Sequence, residues 1–549
     1  MGLLLVLSVF GFSAWLFIGL GALVCGRVFF HRPTQAAWAV WFWTGVLTLV
    51  ASALLLHFAL PISGWLLLAL SPVALLGWWR ERPWRARPRF PGRWGLFVAM
   101  AIGSAWVALS ALQALQPATA TDNGLYFIQT TLWFRSFPVV PGLAALHPCL
   151  GHNQTYFFWV SSFSLGPLFQ RPWVVANGIL LVAAGLPGVF ALAKLLTAPA
   201  RGLVAAEILQ AVLLAPLVDA LLSPAVSSPV ADVAVLCAGV AGLGWLAVVS
   251  ISGIAWEEAR WMLVMAAVAT TLKQPFLCIT APLCLACVAR PIADLRRLVP
   301  SLLCCVAVTA LWMVHGIILS GYPLYPLPIF GFPVDWRLPE IIPRALSEYT
   351  FATHEWGAAR VNAGLLHSGW AWEWLEKRLT YNRIFLVPAL AYVSALLALL
   401  FQWLRRKAVR PALVYALLCS LGLLIWWNML PDERFAGALL WGAGFGIWAL
   451  LAPATDLGGG VFWLLVILLG VAGADWAQLH PPAALQLPPP PHGEARPYRL
   501  RSGDTVWSSA DGLCFRLPCS LFRYPSLEFR RPGDLASGFR RPTAGPLLP

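Results

Sequence analysis

The sequence predicts an all-α polytopic membrane protein, a bundle of about twelve transmembrane helices with re-entrant or interfacial helices and a small C-terminal tail. Three observations predict it. Hydrophobic residues make up 60% of the 549 and charged residues only 11%, whereas soluble domains carry roughly 25% charged residues. Apolar runs of about twenty residues recur, the length needed to cross roughly 30 Å of hydrocarbon. The 30 Trp suit two interfacial aromatic belts.

In chain order the spans read 3–25, 36–58, 61–79, 94–115, 173–196, 203–217, 233–251, 299–320, 384–404, 412–430, 436–454 and 461–478. The first run lacks a basic n-region, exceeds an h-region in length and is followed by Arg27 and Arg32, so it reads as a retained helix. Two segments stand apart. Residues 155–170 are short for a crossing, and 261–289 are interrupted at Lys273-Gln274-Pro275. Proline there breaks or kinks a helix.

The net charge of +14 sits in short clusters between apolar runs. It therefore reports orientation by the positive-inside rule and not nucleic-acid binding. The clusters are Arg80 to Arg89, Arg405-Arg406-Lys407 with Arg410, Arg290 with Arg296 and Arg297, and Lys194 with Arg201. All become cytoplasmic together if 155–170 lies at the interface and 261–289 enters and leaves on one side. A transmembrane domain then covers 1–478. Its outer loops are 116–154 and 321–383, with short outer turns near Asp219–Asp232 and Pro431–Phe435. Residues 479–549 form a Pro-rich linker, expected to be extended, and an extracytoplasmic tail. The expected location is the bacterial inner membrane.

The first outer loop holds the densest polar pattern: Thr121-Asp122-Asn123-Gly124-Leu125-Tyr126, then Arg135, His147, His152 and Asn153. A carboxylate just past a membrane helix, Asp122, suits a general base or a metal ligand at the membrane surface. Asp-Asn-Gly is equally a turn signal. His147 and His152 read as metal ligands beside Asp122 or as hydrogen-bonding loop residues. A divalent metal is the one cofactor the pattern leaves room for. Lys273 lies in an apolar run, where an unpaired charge costs on the order of 3 kcal/mol. It belongs at a re-entrant tip or facing a polar cavity, with an anionic headgroup as a natural partner. Arg434 suits a fork onto phosphate oxygens or a salt bridge to Asp432 or Glu433. Ser227 to Asp232 precedes a helix, and a serine or aspartate there fits an N-cap. Asp335 lies in the Pro- and aromatic-rich second loop, which suits sugar stacking or an interfacial platform. The eleven Cys show no zinc-like pairing of two CxxC units. Cys514 and Cys519 suit a small disulfide loop if the tail is outside. Walker A, GxGxxG, HExxH and GxSxG patterns are absent, which argues against an ATP-driven pump, a dinucleotide enzyme and common membrane hydrolases.

This arrangement resembles the GT-C superfamily of membrane glycosyltransferases. More closely it resembles an uncharacterised bacterial group within that class. The closer resemblance rests on Asp122-Asn-Gly-Leu-Tyr126, Val140-Pro-Gly-Leu143 with His147, Leu150-Gly-His-Asn153, Ser228-Pro-Val-Ala-Asp232 and Lys273. It continues through Gly321-Tyr-Pro-Leu-Tyr-Pro326, Val334-Asp-Trp336, Pro431-Asp-Glu-Arg-Phe435, Leu517-Pro-Cys519 and Gly538-Phe-Arg540. It implies a cell-envelope glycosyltransferase using a polyprenyl-phosphate sugar, with Asp122 catalytic. Tyr126, Arg135, His147, His152, Asn153, Asp232, Lys273, Asp335 and Arg434 would bind substrate, and membrane lipid is the other partner. The chain departs from the GT-C plan in placing three crossings before the one that leads into the Asp122 loop. A transporter or flippase, and a glycan polymerase or ligase using Arg337, Arg344 and Arg360, are the alternative readings.

Overall fold

The computed structural model describes residues 2–541 apart from 31–36, 87–89, 91, 198–203, 290–294, 357–371, 373, 377–382, 430, 453–459, 475, 480–484, 510–512, 521–522 and 525. Arg32, Arg87, Arg89, Arg201, Arg290 and Arg360 of the sequence reading lie outside the described residues.

The helices are α1 Gly2–Arg27, α2 Ala37–Leu56, α3 Trp65–Glu81, α4 Gly92–Ala114, α5 Ile128–Ser136, α6 Tyr156–Ser161, α7 Trp173–Thr197, α8 Ala205–Leu222, α9 Ala231–Ser252 and α10 Trp256–Leu272. There follow α11 Leu277–Val288, α12 Val299–Ser320, α13 Ile341–Trp356, α14 Arg383–Leu404, α15 Arg410–Met429, α16 Glu433–Leu451 and α17 Gly460–Ala472. Among the described residues 10 helices are long and apolar enough to cross a membrane. Of the twelve expected spans, α3 at 17 residues and α17 at 13 residues fall short. At 1.5 Å per residue α3 reaches about 25 Å, just under a hydrocarbon core.

Close backbone approach joins α1 to its neighbours. A Cβ on Gly21 would lie 1.7 Å from the Trp41 carbonyl oxygen, and one on Gly77 would lie 1.9 Å from that of Gly19. Small residues at such crossings maximise van der Waals packing where lipid supplies no hydrophobic drive.

The interrupted segment is a hairpin. Thr280 of α11 bonds back to α10, its hydroxyl 2.7 Å from that of Thr270 and 3.2 Å from the Ala266 carbonyl. A continuous helix would hold residues 266 and 280 about 21 Å apart. The Arg297 guanidinium, past the hairpin, stands 5.6 Å from the Trp256 ring at its start. The chain therefore enters and leaves at one end of the bundle, and Lys273 forms the tip at the other.

Residues 155–170 are buried in their first half and open in their second: Tyr156 to Val160 are at most 1% exposed, whereas Leu165 and Phe169 are 45% and 51% exposed. The first half is held by neighbouring elements. It docks its polar groups on the hairpin tip and on α7. The Thr155 N–H donates to the Thr271 carbonyl at 2.9 Å, and the Tyr156 hydroxyl donates to Asn177 Oδ1 at 2.8 Å. A break in a buried helix frees carbonyls that must be met inside the protein, and Thr155 meets one. Phe134 and Phe158, 4.8 Å apart, continue this aromatic layer.

The tail is a small β unit and not merely a disulfide loop on a linker. Strand β1 Ala495–Arg499 pairs antiparallel with β2 Thr505–Ser509, which pairs parallel with β3 Cys519–Ser520; β4 Glu528–Phe529 pairs with β5 Phe539–Arg540. The unit sits on the loop between α5 and α6. The Phe539 N–H donates to the Pro141 carbonyl at 3.0 Å, and Ser520 donates to the Leu146 carbonyl at 2.8 Å. Two glycines at positive φ, Gly142 (65°) and Gly538 (90°), permit the approach: a Cβ on either would lie 2.0 Å from a carbonyl of the facing segment. The chain's first turn joins the same end, where the Gly2 N–H meets the Leu485 carbonyl at 3.0 Å.

Candidate functional site

Asp122 follows the turn that leaves α4 and begins a single π-helical turn, Asn123–Phe127. Such turns often mark functional sites. Three parts of the chain hold this one. The Asn123 amide donates to Ser228 Oγ at 3.0 Å, and the Ala120 N–H to the same oxygen at 3.3 Å. The Cys514 N–H of the tail donates to the Gly124 carbonyl at 3.1 Å. Asn177 fixes the Ser228 segment in turn, its amide reaching the Ala225 and Ser228 carbonyls at 2.8 and 2.9 Å. Ser228 thus latches a loop. The N-cap expected before α9 is not made by serine or aspartate, because Val230 occupies that position with no side-chain cap.

Four ionisable groups meet beside this turn. Burial raises the pKa of Asp122 above its ordinary value; the charges of Lys273 and Arg434 pull it back and that of Asp232 adds to the rise. Lys273 stands in extended backbone between α10 and α11 (φ −160°, ψ 132°). Pro275 cannot continue the helix, since its ring would clash with the carbonyl one turn back. The ammonium pairs with Asp232 Oδ1 on the first turn of α9 and lies 4.5 Å from the Phe435 ring centre. Arg434 pairs with Asp432 at 3.2 Å, and the same carboxylate oxygen caps α16 by accepting the Arg434 N–H at 2.9 Å. The turn before α16 is itself held from the second loop, where the Trp374 indole donates to the Pro431 carbonyl at 2.8 Å.

The charges around Asp122 do not balance. Lys273 is matched by Asp232 and Arg434 by Asp432. Asp122 makes no ion pair among the described residues. Burial without a dedicated partner favours the protonated form of Asp122, and the two nearby cations oppose it.

The other sequence-expected residues divide. Tyr126 lies in the π turn, and burial followed by the Asp122 charge raises its pKa. His152 stands with its ring 5.8 Å from Tyr126 and 5.9 Å from Tyr325, and burial with the Lys273 charge lowers it to about 4. Both lie close to the Asp122 turn. His147 is buried beneath the tail and lowered to about 3, first by burial and then by the His152 and Arg541 charges. Asn153 is structural: its Oδ1 meets His315 Nδ1 at 2.8 Å, and its carbonyl accepts from the Trp312 indole at 2.7 Å. Arg135 is not brought to the cluster; it bonds the Phe169 carbonyl and covers that ring at 4.6 Å. Asp335 also stands apart, accepting two bonds from Arg530 of the tail at 2.9 and 3.2 Å. Arg337 and Arg344 bond the Gly331 carbonyl and Glu340, respectively. Cys514 and Cys519 are joined in a disulfide. No group of three His, Cys, Asp or Glu able to hold a metal occurs among the described residues.

Sequence reasoning missed Tyr325, Gln274 and Asn123. Gln274 at the hairpin tip donates to the Tyr325 carbonyl at 3.0 Å, and the Tyr325 hydroxyl donates to the Pro148 carbonyl at 2.9 Å. These bonds tie the tip, the first loop and the second loop together. The polar Gln274 beside Lys273 inside an apolar run was the available signal. Also missed was the buried pair His57 and His315, whose Nδ1 and Nε2 lie 2.9 Å apart.

No curated protein and no solved structure matches the chain. Residues 1–441 match a family model whose span takes in the Asp122 turn, Asp232, the Lys273 hairpin and Arg434 and stops short of the tail. The chain belongs to the family described as Domain of unknown function (DUF8201).

Proposed function

We propose that the chain is a GT-C-type glycosyltransferase of the bacterial inner membrane. It takes a sugar from a polyprenyl-phosphate donor at the extracytoplasmic face and modifies a cell-envelope glycan or lipid. The observation that carries this reading is the meeting of Asp122 with Lys273 and Arg434 at the tip of an interrupted helix pair. In the reaction the acceptor hydroxyl oxygen bonds to the anomeric carbon. Asp122 takes the hydroxyl proton. The bond from the anomeric carbon to the phosphate oxygen breaks, and its electron pair leaves on that oxygen. Lys273 and Arg434 offset the charge gained by the phosphate, the kind of preorganised electrostatic contribution that is often the largest in such sites. The raised pKa of Asp122 suits the base, because basicity rises with pKa. His152, Tyr126 and Tyr325 supply ring surfaces for a sugar.

The same reading sets orientation. The tail, the chain's start, the hairpin tip and both large loops gather at one end, taken as extracytoplasmic. The Arg27–Glu81 and Lys194–Glu207 pairs mark the other, cytoplasmic end. About twelve crossings, with α3 and α17 counted as tilted or thinned spans, complete the topology.

Asp122→Asn tests the activity. Glycan transfer in a reconstituted membrane should fall by at least about a hundredfold, the scale of one general base, with insertion and thermal stability retained. Full transfer by this variant refutes the role of Asp122. One observation favours a second reading, a transporter: a broken helix with an ion pair at the break suits a substrate site near the membrane midplane. Substrate uptake by liposomes without sugar transfer would select it.

A further inference from the structure

The opposite end of the bundle carries a second constellation that the proposed reaction does not use. A chamber of about 800 Å³ runs between α2, α7, α8, α9, α10 and α11. Its depth reaches Phe276 and Leu283; its mouth is marked by Arg85, Lys194, Glu207 and Glu258. The charged groups therefore collect at one end of an otherwise apolar space. Small residues such as Ala183, Ala191, Ala241 and Ala266 line the walls between larger ones such as Trp38 and Trp245. Small residues in membrane bundles ordinarily let helices touch. Here they face a void of the size that holds small-molecule ligands.

Beside the mouth is a smaller cavity of about 340 Å³ lined by Arg80, Arg82, Arg85, Glu81 and Trp41. Arg85 lines both spaces. Glu81 is already paired with Arg27 at 3.0 Å, and Lys194 with Glu207. Among the described residues none of Arg80, Arg82 and Arg85 has a carboxylate partner. Three uncompensated guanidinium groups next to an apolar chamber fit a molecule with an anionic head and a hydrocarbon chain.

We propose that this end binds an anionic membrane phospholipid, with its headgroup phosphate between Arg80, Arg82 and Arg85 and one acyl chain in the chamber. Basic pockets between helices on the cytoplasmic side recognise lipid phosphate in this way, and guanidinium forks suit its oxygens. The site lies at the far end from Asp122 and is independent of the glycosyltransferase reading.

The test uses the full chain in phosphatidylcholine nanodiscs doped with a photoactivatable probe. Phosphatidylglycerol with a diazirine on one acyl chain is compared with phosphatidylcholine bearing the same chain. The phosphatidylglycerol probe should label α9 and α10 at least about tenfold more strongly, since each arginine near an anionic headgroup contributes roughly a fivefold factor. The combined Arg80→Gln, Arg82→Gln and Arg85→Gln variant should bring the two probes to parity. Ala241→Phe, or Ala183→Phe should the first not fold, should abolish chamber labelling while lipid-facing labelling persists. The Asp122→Asn variant should label like the native protein, so that failure of the reaction and failure of the lipid site are separate results. Equal labelling of the chamber by both probes, or labelling confined to lipid-facing positions such as Leu397 and Leu465, would overturn the proposal.

Discussion

Replacing Lys273 by Met removes half of an ion pair in which both side chains are largely buried, 11% exposed for Lys273 and 16% for Asp232. The cost follows from what is left behind. Breaking a buried pair on one side costs ~3–5 kcal/mol, because the remaining charge is desolvated without compensation. Water reaches both partners here, so the lower figure applies. Loss of the ammonium over the Phe435 ring, 4.5 Å away, adds about 1 kcal/mol. Lys273→Met should therefore cost about 4 kcal/mol and Asp232→Asn about 3 kcal/mol. The double variant leaves no stranded charge and should cost only about 1–2 kcal/mol. Denaturant unfolding in mixed micelles, followed by tryptophan fluorescence, measures all three. The expected coupling exceeds 2 kcal/mol, well beyond the ~0.5 kcal/mol scatter of independent sites. Costs that simply add would show that Lys273 and Asp232 do not depend on each other and would dissolve the cluster as described.

Asp122 has a folded pKa above its ordinary 3.8, so its ionised form is disfavoured by folding. Stability from this group is complete below 3.8 and declines as pH rises through the raised value. Asp122→Asn should melt higher than the native protein at neutral pH, and the gap should close in acid; equal melting at both pH values would remove the burial argument. The Asp335–Arg530 pair works in the opposite sense, since the Arg530 hydrogen bonds lower the Asp335 pKa. Its contribution is present above 3.8 and is lost as pH falls through the depressed value. With side chains 26% and 46% exposed, the pair is worth about 0.5–1 kcal/mol, and Asp335→Ala should hasten protease cleavage of the tail without changing melting of the bundle. For orientation, Ser502→Cys on the exposed β1–β2 turn should react with an impermeant maleimide in intact spheroplasts. Reaction only after lysis would reverse the topology.

Much of this was legible before any coordinates. Span positions follow from hydropathy, and the hairpin follows from Pro275 together with the demand that the basic clusters share one side. Lys273 was legible because a lone ammonium in an apolar run needs an anion, and the fold supplies Asp232. The tail's strands were not, because pairs as short as Glu528–Phe529 with Phe539–Arg540 carry no alternation long enough to read. The partners of residues 155–170 were not legible, because apolar length does not say which neighbours bury a segment. Arg135 was grouped with Asp122 because it shares the first loop, and Asp335 because it lies in the Val334-Asp-Trp336 motif of the resemblance; the fold sends them to Phe169 and to Arg530. Ser228 looked like a cap because it precedes a helix. Its role as a latch depends on Asn123, more than a hundred positions away, and no local pattern carries that.

The π turn after Asp122 shows why the site needs so much of the chain. A π turn is rare on its own and forms mostly where surroundings impose it. Here the imposing groups are Ser228, latched by Asn177, and the Cys514 N–H, placed by the tail. A plain connector between two spans would need neither. The tail lies beyond the family match at 1–441, yet it bonds the Gly124 carbonyl two residues from Asp122. The position of the carboxylate thus depends jointly on the family domain and on a β unit appended to it. Gly142 and Gly538 make that dependence strict, since a side chain at either would drive the tail off the loop. Support from three directions thus holds the turn that carries Asp122, and loss of any one of them frees the backbone that positions the carboxylate.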